Sequence, residues 1–113
     1  MPAPPMTVVE TQEFLRRAKP LMSGSERMDL VVFVGTNPEA GEIIPGTGGV
    51  RKIRWALEGA GQRGGARVIY SQRMPVFLLS AYAKNRKADL SPSERKMMKR
   101  LVPALMAGYV SEV

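Results

Sequence analysis

The sequence predicts one α+β domain whose strands and helices follow the order β-α-α-β-β-β-α. Its strands are predicted by two glycine-flanked segments rich in β-branched and aromatic residues, at 46–55 and 65–70, and by an apolar segment at 76–82. Its helices are predicted by Ser-x-x-Glu capping boxes that precede apolar runs. With 113 residues and 44% hydrophobic content, the chain can bury one core, so we expect a single domain over residues 1–113.

The N-terminal part predicts a strand followed by a short helix. Residues 6–10 form a β-branched run that is typical of a strand. Thr11 can cap a helix in which Phe14 and Ala18 recur at helical spacing on one face. We expect Pro20 to kink this helix or end it early, because proline lacks the donor that a helix interior requires.

The next segment is ambiguous between helix and strand. Residues 30–34, Leu-Val-Val-Phe-Val, have high β propensity, and so short an apolar run cannot be assigned by periodicity alone. Ser23 and Glu26 have the spacing of a capping box, and Pro38 follows at a natural terminus, so we predict a helix. Residues 38–49 are then expected to form a loop that leads into a hairpin.

The first strand of that hairpin has two chemically different faces. Side chains alternate along a strand, so Ile53 and Trp55 share one face while Lys52 and Arg54 share the other. One face can therefore be buried while the other offers cations to solvent or to an anion.

The second hairpin strand repeats this pattern, and a third strand follows. Val68 and Tyr70 share a face, with Arg67 on the opposite one. Residues 76–82 are apolar on both faces, which is typical of a strand inside a sheet rather than at its edge. Cations follow directly at residues 84–87, where the chain leaves the sheet and where functional groups are often held.

The C-terminal part predicts a helix with a clear start. Ser91 and Glu94 form a second capping box, with Pro92 at the first helical position. The helix has an apolar stripe of Met98, Leu101, Val102 and Leu105. Pro103 is expected to cause a kink or a new helical start.

Composition excludes several classes of function. The chain has no cysteine and no histidine, which excludes disulfides, the usual zinc sites and Cys-His or Ser-His catalysis. Residues 59–64 match Gly-x-Gly-x-x-Gly, but a strand rather than a helix follows, so a nucleotide-binding loop is not predicted. No apolar run approaches the ~20 residues that a membrane span needs, and we expect a cytoplasmic protein.

The positive charge is concentrated in the second half of the chain. Residues 1–49 hold four Lys/Arg and six Asp/Glu, whereas residues 50–113 hold thirteen and four. A basic half built around a cationic sheet face is typical of a protein that binds nucleic acid, including ribosomal RNA. An acidic protein partner or a membrane surface is the alternative.

Four segments together resemble the RelE/HigB family of bacterial type II toxins. They are residues 45–55 (PGTGGVRKIRW), 64–70 (GGARVIY), 81–85 (AYAKN) and 89–94 (DLSPSE). The resemblance implies a small antiparallel sheet flanked by helices, and a cognate antitoxin that in the HigB-like branch often has a helix-turn-helix DNA-binding domain. It also implies an mRNA interferase that enters the A site of the 70S ribosome and cuts mRNA without a metal or other cofactor, by attack of a ribose 2′-hydroxyl.

The resemblance assigns catalytic roles to several of the residues above. Arg67 matches the strand arginine that stabilises the phosphate, Lys52 and Arg54 match the basic strand pair, and Lys84 matches the basic residue at the exit of the last strand. The proton-transfer group is open: Tyr82 is one candidate, and Lys52 acting as a base is another.

Four further residues are expected to contact RNA: Arg51, Asn85, Arg86 and Lys87. A different function also remains open. The scaffold resembles ParE-type toxins, which inhibit DNA gyrase by protein contact, and a relative that only binds an antitoxin is a third possibility.

Overall fold

The computed structural model describes residues 5–57, 65–86 and 89–112. These residues form a mixed α+β domain with five strands and three helices, in the order β1 (Val8–Glu10), α1 (Gln12–Ala18), α2 (Gly24–Thr36), β2 (Glu42–Ile43), β3 (Val50–Trp55), β4 (Ala66–Ser71), β5 (Val76–Ala83) and α3 (Pro92–Glu112). The predicted order is confirmed, with one addition. Strand β2 lies in the segment predicted to be a loop, because two residues can pair at a sheet edge without any periodic pattern in the sequence.

The helices start where their caps predict. The Thr11 hydroxyl accepts from the Phe14 N–H, and α1 ends before Pro20. Ser23 and Glu26 form a reciprocal capping box that starts α2, so the β-prone segment 30–34 is helical. Leu30 and Val34 are buried in the cluster packed on the sheet, whereas Val32 is exposed, and tertiary burial of the packed face outweighs the weak helix propensity of the segment.

Strand β4 lies in the middle of a sheet with the order β1-β5-β4-β3-β2. All neighbouring strands are antiparallel except β1, which pairs with β5 in parallel. Strand β5 is therefore interior, as its apolar sequence predicts. The turns entering β3 and β4 contain glycines with positive φ, which L-residues with a side chain rarely adopt: Gly46, Gly48, Gly49 and Gly65.

The sheet buries a different cluster on each side. One side, here called the two-helix face, packs Val68, Tyr70 and Leu78 against Phe14 of α1 and Leu30 of α2. The other, here called the one-helix face, packs Ile69, Phe77 and Leu79 against Met98 and Val102 of α3. The alternation predicted for β3 and β4 is confirmed.

A β-bulge interrupts the alternation on β5. Ile69 of β4 faces Ser80, whereas the next residue, Tyr70, faces Leu78, so Leu79 is an extra residue. Regular alternation from Leu78 would place Tyr82 on the two-helix face. The bulge moves Tyr82 to the one-helix face, directly opposite Arg67.

Helix α3 continues through Pro103, so the proline does not begin a new helix. Near its end, the ring of Tyr109 packs edge-on against Phe77, with ring centroids 6.2 Å apart. None of the three described helices is long and apolar enough to cross a bilayer.

Candidate nucleic-acid interface

Three predicted cations lie around one cavity beside the one-helix face. Strand β3 contributes Lys52 and Arg54, and β4 contributes Arg67; with Ala40, Glu42 and Ile53 they line a cavity of about 210 Å³. The hairpin register brings these side chains together, as the period of two predicts. Among the described residues that line the cavity, Glu42 is the one carboxylate beside three cations, so the cavity suits an anion.

Two of these cations repel each other. Arg54 and Arg67 are directly opposite on antiparallel strands, and their side chains leave the same face. Like charges in this position destabilise a sheet, whereas one acidic partner would stabilise it. The arginine pair therefore does not stabilise the sheet. Side chains that conflict locally in this way are expected at functional sites.

Arg67 also has an unsatisfied donor. Its side chain is half-buried, and its Nε atom is buried without a hydrogen-bond partner in the described part of the chain. A buried donor that lacks an acceptor costs free energy, and such groups in a folded protein call for an explanation. An anion in the cavity would supply the missing acceptor, and a guanidinium can hold two phosphate oxygens at once.

Tyr82 lies on the other side of Arg67, as its cross-strand partner on β5. The side chain is 9% exposed. Burial raises the pKa of its hydroxyl, the charge of Arg67 opposes this, and the carboxylates of Asp89 and Glu94 reinforce it. Tyr82 is therefore neutral at physiological pH and is equipped to donate a proton rather than accept one.

Lys52 is engaged by a carboxylate that the sequence did not identify as part of the site. Its Nζ donates to Oδ2 of Asp89 at 3.1 Å. The two side chains form an ion pair in which 18% of the Lys52 side chain is exposed. Lys52 thus fits the role of a cation better than that of a base.

Glu42 was also missed by sequence reasoning. It pairs with Lys52 in the β2–β3 register and lines the cavity, with an exposed side chain. An ionised carboxylate can accept a proton, which neutral Tyr82 cannot. The only sequence signal was an acidic residue in a loop before a basic strand, which does not by itself place the two together.

The exit of β5 lies next to the start of β4, at the Ala66–Ala83 pair. Lys84 is half-buried there, and its backbone N–H donates to the Gly65 carbonyl at 3.0 Å. Asn85 follows in the same turn and is exposed. Both lie where β5 leaves the sheet, at the end of the sheet that contains Arg67.

Arg51 and Arg86, two further predicted RNA contacts, do not line this cavity. Arg51 extends from the two-helix face, and its guanidinium donates to the Gly41 carbonyl at 2.6 Å and to Gln72 at 2.8 Å. Arg86 is exposed and lines a separate cleft of about 660 Å³ with Arg16, Arg17 and Tyr82. Lys87 lies outside the described residues.

Within residues 5–57, 65–86 and 89–112, no three carboxylate, histidine or cysteine side chains cluster so that they could hold a metal ion.

One comparison with known proteins matches nearly the whole chain. The family model described as the RelE toxin of the RelE/RelB toxin–antitoxin system covers residues 6–111. The matched region contains every described strand and all but the last residue of α3.

Proposed function

The chain belongs to the RelE toxin family, and we propose that it is a ribosome-dependent endoribonuclease that stops translation by cutting mRNA in the A site. As a member of this family it is the toxin of a toxin–antitoxin system. The finer assignment to the HigB-like branch, and the chemistry of RNA cleavage, are part of the proposal.

One observation supports the proposal above all others: Arg67 is placed between Arg54 and Tyr82 in consecutive cross-strand positions. Two guanidinium groups can hold a phosphate on one side of this row, and a neutral phenol stands on the other. A surface that bound only a protein partner would not favour two facing arginines, one of which has a buried Nε without an acceptor.

In the proposed reaction, the mRNA supplies its own nucleophile. The ribose 2′-oxygen forms a bond to the adjacent phosphorus as its proton leaves, and the bond from phosphorus to the 5′-oxygen of the next nucleotide breaks, giving a 2′,3′-cyclic phosphate. Arg67 and Arg54 stabilise the charge that builds on the phosphate oxygens, with Lys52 and Lys84 adding positive charge nearby. No step requires a metal or other cofactor.

Two protons must move in this reaction. The Glu42 carboxylate, which lines the cavity, can take the proton of the 2′-hydroxyl. Tyr82, neutral because burial raises its pKa, lines the neighbouring cleft on the other side of Arg67, and it can give a proton to the leaving 5′-oxygen of an RNA bound across both. This division of roles replaces the choice between Tyr82 and Lys52 that the sequence leaves open.

The partners follow from this function. The antitoxin, for which we propose a helix-turn-helix DNA-binding protein, would neutralise the toxin, and the ribosome with its mRNA would be the target in the cytoplasm. Contacts to several phosphates would make ribosome binding weaken steeply with salt.

The decisive experiment is to express the protein briefly in a bacterium and map new RNA 5′ ends. Cuts confined to translated parts of messages, absent when initiation is blocked, are the expected result. No new ends, together with trapped gyrase–DNA complexes, would contradict the proposal and support the ParE-like alternative. An Arg67→Ala variant expressed to the same level is the matched control.

A further inference from the structure

Asp89 joins the start of α3 to the cationic cavity. Its Oδ2 accepts from Lys52 Nζ at 3.1 Å and from Arg95 Nη2 at 3.4 Å. Its Oδ1 accepts from the Leu90 N–H at 2.8 Å. Lys52 lines the cavity, whereas Asp89 is not among the residues that line it.

Asp89 is itself held by its surroundings. Arg95, one turn into α3, also donates to the carbonyl of Leu90 at 3.3 Å and reaches that of Pro45 at 3.5 Å. Although partial burial raises the pKa of the Asp89 carboxyl, the Leu90 amide, Lys52 and Arg95 outweigh it, and the net pKa is lowered. The carboxylate is therefore ionised and fixed in direction.

A lysine on its own is a poor choice for a preorganised cation. Its ammonium sits on a flexible four-carbon stem, and fixing it costs side-chain entropy. Here 18% of the Lys52 side chain and 35% of the Asp89 side chain is exposed, so the pair is partly shielded from water and screening is reduced. The bond to Asp89 restricts the lysine before any RNA arrives.

We propose that Asp89 is a positioning residue: it acts through Lys52, holding the ammonium at the edge of the cavity where the phosphate of the RNA is bound. This inference rests on the proposed function and adds to it a role for the segment that leads into α3. Helix α3 would then contribute to cleavage through Arg95, which holds Asp89, in addition to its packing on the sheet.

The test is a double-mutant cycle measured by single-turnover cleavage of mRNA in programmed ribosomes. Asp89→Asn keeps the shape of the side chain and removes its charge, and it should slow cleavage at saturation about tenfold, the scale of a direct pairwise coupling. In a Lys52→Ala background the same change should have almost no further effect. Asp89→Glu should recover part of the rate.

Asp29→Asn is the matched control, because it removes the same charge from an exposed position on α2, away from the site. It should cleave like the wild type. Melting curves of each variant separate loss of fold from loss of positioning. If Asp89→Asn does not fold, Asp89→Glu, which keeps the charge, takes its place in the double-mutant cycle with Lys52→Ala.

The outcomes distinguish the positioning role of Asp89 from the proposed endonuclease function. Equal slowing by Asp89→Asn in both backgrounds, or no slowing in the wild-type background, would overturn the positioning role while the endonuclease assignment stands. A wild-type protein that cleaves no mRNA would overturn the proposed function itself.

Discussion

The two-helix face of the sheet packs a buried apolar cluster against α1 and α2, whereas the one-helix face places the like charges of Arg54 and Arg67 side by side. Strand β4 supplies both: Val68 and Tyr70 are completely buried on one side, and Arg67 faces Arg54 on the other. The difference shows how one strand can support stability and function at once, because the period of two keeps the two tasks on separate sides.

One contact couples the two sides. The Tyr70 hydroxyl accepts from the Gly41 N–H at 2.9 Å and donates to the Pro38 carbonyl at 2.8 Å, so it holds the loop that leads to Glu42. A Cβ on residue 41 would lie 2.7 Å from the Lys52 carbonyl and 2.8 Å from the Tyr70 hydroxyl. This close packing explains a glycine where φ alone does not require one.

The first prediction tests that coupling. Tyr70→Phe should destabilise the protein by about 1–3 kcal/mol, because the buried Gly41 N–H loses its acceptor. Denaturant unfolding measures this loss. Tyr109→Phe, on a side chain 37% exposed, is the control and should change little. A Tyr70→Phe protein as stable as wild type would show that the loop is not held from the two-helix face.

A second prediction concerns alkaline pH. Burial raises the pKa of both Tyr70 and Tyr82 above the ordinary tyrosine value. The folded protein then keeps protons that the unfolded chain releases near pH 10, so stability should fall as the pH rises through about 10. Melting temperatures from pH 8 to 11 measure it. The decline should be shallower in Tyr70→Phe; parallel curves would contradict the assignment.

The smallest expected effect concerns the arginine pair. Arg54→Ala removes one of two facing like charges and should raise stability by a few tenths of a kcal/mol at low salt. The gain should fade at high salt, where repulsion is screened. Arg100→Ala, an exposed arginine on α3, is the charge-matched control for the melts. A loss of stability in Arg54→Ala would mean that repulsion between Arg54 and Arg67 does not destabilise the sheet.

Much of this fold could be predicted because its signals are local. The capping boxes at Ser23 and Ser91 mark the starts of α2 and α3, and alternation along β3 separates Lys52 and Arg54 from Ile53 and Trp55. These features depend on neighbours within a few residues in the sequence.

The rest depends on distant pairing. Tyr82 reaches the face of Arg67 only through the bulge at Leu79, and alternation alone would have put it on the other side. Glu42 and Asp89 both meet Lys52, from positions 10 residues before it and 37 after it, respectively. Arg51, a predicted RNA contact, does not line the cavity, because its guanidinium donates to the Gly41 carbonyl. No short-range pattern carries this information.

The most direct test of the account compares two adjacent residues on opposite faces, Arg67→Ala and Val68→Ala, in mRNA cleavage on programmed ribosomes and in thermal melts. Arg67→Ala should keep its stability within about 0.5 kcal/mol and lose cleavage by on the order of a hundredfold or more. Arg67→Lys should restore only part. Val68→Ala should lose about 2 kcal/mol of stability and cleave normally while folded. Normal cleavage by Arg67→Ala, or a collapse of its melting temperature, would contradict the division between the two faces.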